Sequence, residues 1–355
     1  MPNSKKNKDG AKGKSDGFIK KEGVSNAKKE VSNAKKEVSN AKNHGFSLLA
    51  QGTFGCVYHP GMTCDHKPLD EKYVTKIHSS EEKTAINEIA VSKKVQTIPN
   101  YELYFSPVLQ SCDVNLAKVD REEVEKCNFI KDDLNHKNPI TYISTKIRFI
   151  EGGSLLDYVA KHPKYSTISF LYKTLCENVK KLAEKEIVHF DLRENNMIVS
   201  KKGIPIIIDF GISIDFANKP KKSFLKNTYY AYTTKYKPWC IEIVLICFIV
   251  HHKPSQVTPE KIMEIFDEVM ALNDFANKPY LKEDFPEYRE TFKTQISTKH
   301  REELLDYLLS TYKRWDLYSV TILLIQMLET TNQMPDETHA KQMKEYLLVG
   351  LDRKA

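Results

Sequence analysis

Residues 187–211 constrain the fold more than any other part of this chain of 355 residues. Two short apolar runs, 197–199 and 204–208, lie on either side of the polar triplet Lys201, Lys202 and Gly203. Apolar runs of this length, separated by a turn that contains glycine, are typical of paired antiparallel strands. The segment therefore predicts a β-hairpin, and the hairpin fixes which neighbouring side chains meet at one edge.

Three oxygen-bearing side chains flank this hairpin. Asp191 and Asn196 precede its first strand, and Asp209 follows its second strand. The start of the first strand and the end of the second lie side by side in a hairpin, so we expect these side chains to cluster. Hard oxygen ligands of this kind suit Mg²⁺ that bridges nucleotide phosphates. The alternative is an ordinary surface hairpin with solvated carboxylates.

Two motifs in this segment together resemble the catalytic core of eukaryotic-type protein kinases. Residues 189–196 match the catalytic-loop pattern H-R-D-L-x-x-x-N except at Phe190, and residues 209–211 read D-F-G. The resemblance implies that Asp191 accepts the proton of a substrate hydroxyl, with Arg193 beside it. It implies that Asn196 and Asp209 hold Mg²⁺ (or Mn²⁺) on bound ATP. The fold that it implies is α+β and two-lobed, with a small β-rich lobe and a large helical lobe.

The region before this core resembles the nucleotide-binding half of the same family. Gly52 and Gly55 belong to a glycine-rich turn between two predicted strands, with Ala50 where the family has its first glycine. Glycine lets backbone amides approach phosphate oxygens closely. The loop residues that the resemblance assigns to nucleotide binding are Leu49, Ala50, Gln51, Gly52, Thr53, Phe54, Gly55, Cys56 and Val57.

A lysine and a glutamate complete this half of the expected site. Lys76 lies in the apolar strand 73–78 and corresponds to the family lysine that contacts the phosphates. By itself, such a lysine is more simply an edge residue that points to solvent. Glu88 lies on the helix predicted over 80–95, with Ser79 or Ser80 as its cap, and is the expected ion-pair partner of Lys76. Glu81 and Glu82 compete for that role but lie close to the helix start.

A predicted strand at 141–150 leads into Glu151 and two glycines, and this sequence resembles the hinge between the two lobes. The resemblance implies that backbone groups near Arg148 and Ile150 bind the adenine edge, with Ile147 behind the pocket. Farther along, apolar residues at steps of three and four predict an amphipathic helix over 167–185. Its apolar stripe is expected to be core.

The later part of the chain is expected to be helical. A short helix is predicted over 154–162, and the apolar run 243–250 is expected to be a buried strand or helix segment. Residues 253–313 look helical, for example over 259–272 with Thr258 as cap. Asp316 begins a run that resembles the buried helix that anchors the family's catalytic loop.

The chain departs from the family pattern around the activation segment, the stretch that follows Gly211. Phe190 replaces the arginine that reads a phosphate on this segment in many kinases, so we expect phosphorylation there not to be the main switch. Thr233 and Tyr236 resemble the stretch that receives the substrate hydroxyl, and Thr233 favours Ser/Thr substrates. The A-P-E motif is absent, and Glu242 is an uncertain equivalent.

Composition divides the chain into a tail and a folded part. Residues 1–46 carry 12 Lys and 5 acidic residues, a net charge of +7. The whole chain also has a net charge of +7, so the basic and acidic residues after position 46 are equal in number. Residues 24–30 and 31–37 are identical heptads, and a third copy begins at 38. A disordered basic tail is favoured over a short coiled coil, because the heptads are few and poor in large apolar residues. The predicted domains are thus 1–46, 47–151 and 152–355, with the insertion at 243–313.

Seven scattered cysteines without a Cys-x-x-Cys pair, and no visible secretory signal, predict free thiols and a cytoplasmic protein. No apolar run approaches the length needed to span a bilayer.

The function that the resemblance implies is phosphoryl transfer from ATP to Ser or Thr of protein substrates. Three alternatives stay open: a pseudokinase scaffold, a small-molecule kinase, and a nucleic-acid or acidic-partner binder acting through the basic tail. The Lys/Asn-rich tail and short C-terminal end are similar to kinases of large cytoplasmic DNA viruses such as iridoviruses, which would place the protein in host cytoplasm or the virion.

Overall fold

This computed structural model describes residues 46–52, 55–67, 70–116, 119, 121–134, 141–218, 225–229 and 231–348, with side chains for all of them except 132–134. All of them belong to one compact unit, Gly45–Ala355. The predictions for the tail, whether disordered or coiled coil, fall outside the described residues, as do those for Thr53 and Phe54.

The first lobe is built on a five-stranded antiparallel sheet with the order β1-β2-β3-β6-β5. One helix, α1, packs against it, and two short helices, α2 and α3, lie in the region before β6. The bounds are β1 Ser47–Gly52, β2 Gly55–His59, β3 Tyr73–Ser79, α1 Lys83–Val95, β4 Phe105–Ser106, β5 Val108–Val114, α2 Arg121–Glu125, α3 Asn128–Leu134 and β6 Tyr142–Arg148.

The second lobe is mainly helical and holds most of the larger hydrophobic core. Its elements are β7 Gly152–Ser154, α4 Leu155–Lys161, α5 Tyr165–Glu184, β8 Ile187–Val188, β9 Met197–Ser200, β10 Pro205–Ile208, β11 Ile214–Asp215, α6 Leu225–Thr228, α7 Ile241–His251, α8 Pro259–Leu272, α9 Phe285–Ser297, α10 Arg301–Ser310, α11 Trp315–Thr330 and α12 Glu337–Leu347. The two-lobed α+β fold that the resemblance implied is therefore confirmed.

The predicted hairpin is present and carries the site. Strands β9 and β10 pair antiparallel, Gly203 in their turn has a φ of +79°, and β10 also pairs with β4 in parallel. Helix α5 lies against this hairpin, and its predicted apolar stripe is buried as expected: Ile168, Leu171, Leu175, Val179 and Leu182. Burial of one such side chain contributes about 1.5–3 kcal/mol. The scaffold beneath the site is therefore part of the hydrophobic core.

Helix caps account for where several other helices begin. Ser154 caps α4, and Thr258 caps α8 by accepting a hydrogen bond from the Lys261 backbone, as predicted. The start of α1 was predicted too early. Ser80 donates its backbone N–H to the Thr141 carbonyl and so belongs to the sheet edge, and Glu82 is the cap that accepts from the Thr84 backbone.

The expectation of free thiols throughout the chain is wrong for four of the seven cysteines. Cys56 is bonded to Cys127, and Cys64 to Cys112, while the other three are buried thiols. Both bonds lie in the first lobe, where the bond from Cys56 ties strand β2 to the turn between α2 and α3. The partners are 71 and 48 residues apart in sequence and meet only because the sheet brings them together. Among the described residues, no helix combines the length and apolarity that a membrane crossing requires.

Candidate active site

The central feature of the site is a lysine between two carboxylates. Lys76 Nζ lies 3.1 Å from Glu88 Oε2 and 3.2 Å from Asp209 Oδ1. Strand β3 supplies the lysine, α1 the glutamate, and the end of β10 the aspartate, so residues up to 133 positions apart meet at one point. The Lys76 and Glu88 side chains are 15% and 4% exposed, whereas that of Asp209 is 45% exposed. The arrangement is thus a buried ion pair whose second carboxylate opens toward solvent.

Electrostatics within this triad follow from burial and charge. Burial acts to lower the pKa of Lys76, but Glu88 and Asp209 outweigh burial and raise it above its usual value. Burial raises the pKa of Glu88, and Lys76 offsets only part of that rise. For Asp209, burial acts to raise the pKa, but Lys76 prevails and lowers it. At neutral pH, Lys76 is therefore a cation and Asp209 an anion.

The backbone at Asp209 is held in an uncommon conformation. Its φ is +65°, in the left-handed region that costs a residue with a side chain about 1–2 kcal/mol. Asn87 of helix α1 donates to the carbonyls of Gly211 at 3.0 Å and Ser213 at 2.8 Å, just beyond it. Lys94 of the same helix lies 2.5 Å from Asp215. Helix α1 therefore fixes the segment that follows Asp209, and the family motifs did not identify these three contacts.

Asp191 and Asn196 form the second half of the site. The Asn196 amide nitrogen donates both to the Asp191 carbonyl at 2.8 Å and to Asp191 Oδ2 at 2.9 Å. These two bonds use both protons of the amide and leave its oxygen as the atom that can accept a ligand. The guanidinium of Arg193, which is 45% exposed, lies 3.7 Å from Asp191 Oδ2. The Tyr236 hydroxyl donates to the other oxygen, Asp191 Oδ1.

The catalytic loop is anchored from below by a buried carboxylate. Asp316, at the start of α11, accepts hydrogen bonds from the backbone of His189 at 2.7 Å and of Phe190 at 3.2 Å. Burial raises the pKa of Asp316 even though these two bonds oppose the rise. The His189 ring in turn reaches the carbonyl of Ile208, at 3.0 Å, on the neighbouring strand.

The residues expected to form the glycine-rich loop divide between two faces of the sheet. Val57 pairs directly with Lys76, so these two side chains share a face, and Ala50 pairs with Val57. Cys56 pairs with Ile77 and lies on the other face, in the smaller core, where it is bonded to Cys127. Only the backbone of Cys56 can therefore serve a nucleotide on the Lys76 face.

The two glycines of this loop differ in their surroundings. A Cβ on Gly55 would lie 2.4 Å from the Ile77 carbonyl oxygen, so this position excludes a side chain for a packing reason. Gly52 would meet nothing closer than 3.7 Å. Leu49 lies at the irregularity between paired residues 48 and 50, and the Gln51 side chain accepts from the Asn128 backbone.

The expected hinge residues lie at the end of β6. The Arg148 carbonyl accepts from the Ser106 hydroxyl at 2.9 Å, and the Arg148 side chain donates to the carbonyls of Glu102 and Phe105. Within the part of the chain that the structure describes, no hydrogen bond to the Ile150 backbone is present. Two cavities, of about 190 Å³ beside Lys278 and about 230 Å³ beside Cys64, lie elsewhere in the chain.

Thr233 does not reach the Asp191 carboxylate. Its hydroxyl accepts a hydrogen bond from the Lys235 backbone at 3.1 Å and so serves its own loop. Tyr236, three residues later, makes the contact instead. The preference for Ser/Thr acceptors that rests on Thr233 stays a prediction.

The donor set fits a divalent metal held together with phosphate. Among the described residues, no three His, Cys, Asp or Glu side chains group as a metal site. The Asp209 carboxylate and the Asn196 amide oxygen are hard donors, and phosphate oxygens and water normally complete the octahedron that Mg²⁺ requires. Asn196 and Asp209 would hold the metal, and Lys76 would contact the phosphates.

Comparisons with known proteins agree with this geometry. The profile of the protein kinase domain matches residues 122–312, more than half of the chain, which includes the catalytic loop but not Lys76. The serine/threonine-protein kinase CLA4 of Saccharomyces cerevisiae is 23% identical over 197 residues, covering 48% of this chain and 20% of that protein. Human death-associated protein kinase 2 is 26% identical over 165 residues, covering 41% and 44%.

A probable serine/threonine-protein kinase of Dictyostelium discoideum is 24% identical over 237 residues, covering 62% of this chain and 31% of that protein. The matched regions thus span less than half the length of each of these relatives. None of the three comes from a virus, so the viral resemblance stays a prediction from the sequence.

Proposed function

This chain belongs to the protein kinase family, and from that premise we propose that it transfers the γ-phosphoryl group of ATP to hydroxyl groups of protein substrates. Two contacts support the proposal: Lys76 lies 3.2 Å from Asp209, and the Asn196 amide lies 2.9 Å from the Asp191 carboxylate. Asp191 and Asn196 precede the hairpin of β9 and β10, and Asp209 follows it, at the spacing of the family motifs. Serine and threonine are the acceptors that the names of the relatives favour.

Each residue would act by position and charge. The Lys76 ammonium, held by Glu88, would bind the phosphates of ATP, and the backbone groups of Ile150 would bind adenine. Mg²⁺, when bound by Asn196 and Asp209, supplies charge neutralisation for the transferring phosphoryl group. Asp191 would hold the acceptor hydroxyl in line and accept its proton, and Arg193 would balance charge beside it. Positioning and electrostatic stabilisation account for most of the rate in such reactions.

Asp191 is the residue that tests the proposal most directly, because it would accept the proton of the acceptor hydroxyl. Its Oδ2 accepts from Asn196 and its Oδ1 from Tyr236, so the acceptor hydroxyl would use the second lone pair of Oδ1. General base catalysis of this kind contributes about 10²–10⁴ in rate. An amide at the same position keeps the size of the side chain but cannot accept the proton.

The experiment is a labelled-ATP assay with Mg²⁺ and a generic protein acceptor, with wild type beside Asp191→Asn. We expect incorporation by wild type and a loss of about 10²-fold or more in the variant. Hydrolysis of the product and separation of the phosphoamino acids then reports whether serine, threonine or tyrosine is modified. Equal incorporation by the two proteins would remove the catalytic assignment, and nucleotide binding without transfer would favour the pseudokinase alternative.

A cytoplasmic location stays a prediction, and the two disulfides remove the cysteine argument on which it partly rested. The contribution of the basic tail to partner binding also stays a prediction. It would be tested by deletion of residues 1–46 and by the salt dependence of binding to an anionic partner, which steepens with each phosphate contact.

A further inference from the structure

The strained residue of the catalytic loop is held by two parts of the second lobe. Phe190 has a φ of +71°, which is unfavourable for a residue with a side chain. Its N–H donates to Asp316 of α11 at 3.2 Å, and its carbonyl accepts from the Trp239 indole at 2.9 Å. Both backbone groups of the residue before Asp191 are thus used to keep this conformation.

The Phe190 side chain fills the place where many relatives would carry an arginine. It is 2% exposed, and its ring lies 5.0 Å from that of Trp239 and 5.8 Å from that of Tyr229, measured between centroids. Arginine pairs with phosphate through its charged guanidinium, whereas phenylalanine has no group that can do so. The Phe190 side chain therefore meets the activation segment through aromatic packing and not through a charge pair.

Trp239 is itself fixed to the helical core. The carbonyl of the preceding Pro238 accepts from the Ser319 hydroxyl at 2.7 Å. Ser319 and Asp316 are three residues apart on α11 and therefore share one face of the helix. A single buried helix thus anchors both the catalytic loop and the end of the activation segment.

Tyr236 extends this anchor to the Asp191 carboxylate. Its ring packs edge-on against Trp239 at 5.2 Å, and its hydroxyl donates to Asp191 Oδ1. Burial, and then the negative charge of Asp191, raise the pKa of Tyr236 above its ordinary value. The phenol therefore keeps its proton and acts as a donor, so that Tyr236 and Asn196 hold one carboxylate oxygen each.

We infer that Tyr236 is a positioning residue for Asp191, presented by Trp239 and Phe190, and that this contact holds the end of the activation segment, residues 236–239, in place without phosphate. The inference rests on the proposed function, since it concerns how the proposed base is oriented. Three links carry it: the hydrogen bond to Asp191, the indole bond to the Phe190 carbonyl, and the shared anchor on α11. An acceptor hydroxyl would approach a carboxylate that is already aligned.

The test compares Tyr236→Phe, which removes the hydroxyl and keeps the ring, with Tyr232→Phe as a matched control. Tyr232 lies in the same segment but packs against Phe248 and His252. A hydrogen bond to a charged group accounts for about 10- to 100-fold in an equilibrium or rate. For Tyr236→Phe we expect kcat to fall by that factor with the KM for ATP unchanged, and we expect Tyr232→Phe to match wild type.

A second variant, Trp239→Phe, keeps an aromatic ring and removes the indole donor to Phe190. If it acts through Tyr236, its effect on kcat and that of Tyr236→Phe will be non-additive in the double variant. Phosphatase-treated wild type, checked by intact mass, is expected to keep its kcat. A Tyr236→Phe variant within two-fold of wild type would overturn the inference.

Two further outcomes would also overturn it. Phosphate on Tyr236 in the active protein would make this tyrosine an acceptor, because a phosphorylated phenol cannot donate to Asp191. Loss of activity after phosphatase treatment would show that the segment needs phosphate. An inactive wild type in the labelled-ATP assay would instead reject the proposed function, and the inference would fail with it.

Discussion

Replacement of Lys76 by methionine tests the buried ion pair on which the site is built. The lysine amine is the cation in contact with Glu88, whose side chain is only 4% exposed, so methionine leaves a carboxylate in a buried place without its partner. Breaking a buried pair in this way destabilises a protein by about 3–5 kcal/mol. For a domain of this size, that loss lowers the melting temperature by roughly 10 °C.

The pH dependence of the defect has a definite sign. Burial already raises the pKa of Glu88, and removal of the Lys76 charge raises it further. When the pKa of a carboxyl group is higher in the folded state than in the unfolded state, the protein loses stability as the pH rises through the folded-state pKa. The stability deficit of Lys76→Met is therefore expected to be largest above neutral pH and smaller toward pH 5.

The assay is thermal unfolding from pH 5 to 8, in parallel with the labelled-ATP assay. Lys76→Met is expected to lose about 10²-fold or more in activity, as expected for loss of one electrostatic donor at a reacting centre. The double variant Lys76→Met/Glu88→Gln removes the orphan charge, so it should regain most of the stability and none of the activity. A single variant as stable as wild type at pH 8 would refute the reasoning, as would a double variant no more stable than the single one.

Three further predictions follow from the structure. Reduction of the disulfides is expected to lower the free energy of unfolding, by up to about 4 kcal/mol for the 71-residue separation of Cys56 and Cys127, and unfolding with and without dithiothreitol measures it. Asp316→Asn leaves one acceptor oxygen for two buried backbone donors. We therefore expect a loss of about 1–3 kcal/mol of stability and of most of kcat. Denaturant unfolding that matches wild type would contradict this. Lys94→Ala should cost about 1 kcal/mol at pH 7. Burial acts to raise the pKa of Asp215, but Lys94 outweighs burial and lowers that pKa. The difference in stability between Lys94→Ala and wild type should therefore vanish as the pH falls through the pKa of Asp215. Acid unfolding of the two proteins will measure it.

Local sequence signals identified much of the fold. The hairpin of β9 and β10, helix α5 and the Thr258 cap follow from apolar periodicity, a glycine turn and capping chemistry, all of which act within a few residues. The start of α1 differed from its prediction because Ser80 pairs with Thr141, which is 61 residues away. Local sequence alone cannot predict where a helix cap lies when a distant strand competes for the same residue.

Part of the candidate site, like part of the fold, was predicted from the sequence. Motif spacing predicted which residues converge, and the observed distances at Lys76 and Asp209 agree with that spacing, while their chemical roles remain proposals. The contact of Tyr236 with Asp191 and the bond between Cys56 and Cys127 had no signal in the sequence. Both depend on segments that meet only after the sheet and helices have packed, so residue type and spacing could not specify them.

The convergence of Asn196 and Asp209 on one metal-bound triphosphate is the central claim, and calorimetric binding of a non-hydrolysable ATP analogue tests it most directly. Titrations with and without Mg²⁺ would be made on wild type and on Asp209→Asn, which removes one charged metal ligand and preserves shape. We predict that wild type binds at least about 10-fold more tightly with Mg²⁺, a difference of about 1.4 kcal/mol, and that Asp209→Asn loses this gain. Binding that is equal with and without Mg²⁺, and equal in both proteins, would contradict the account.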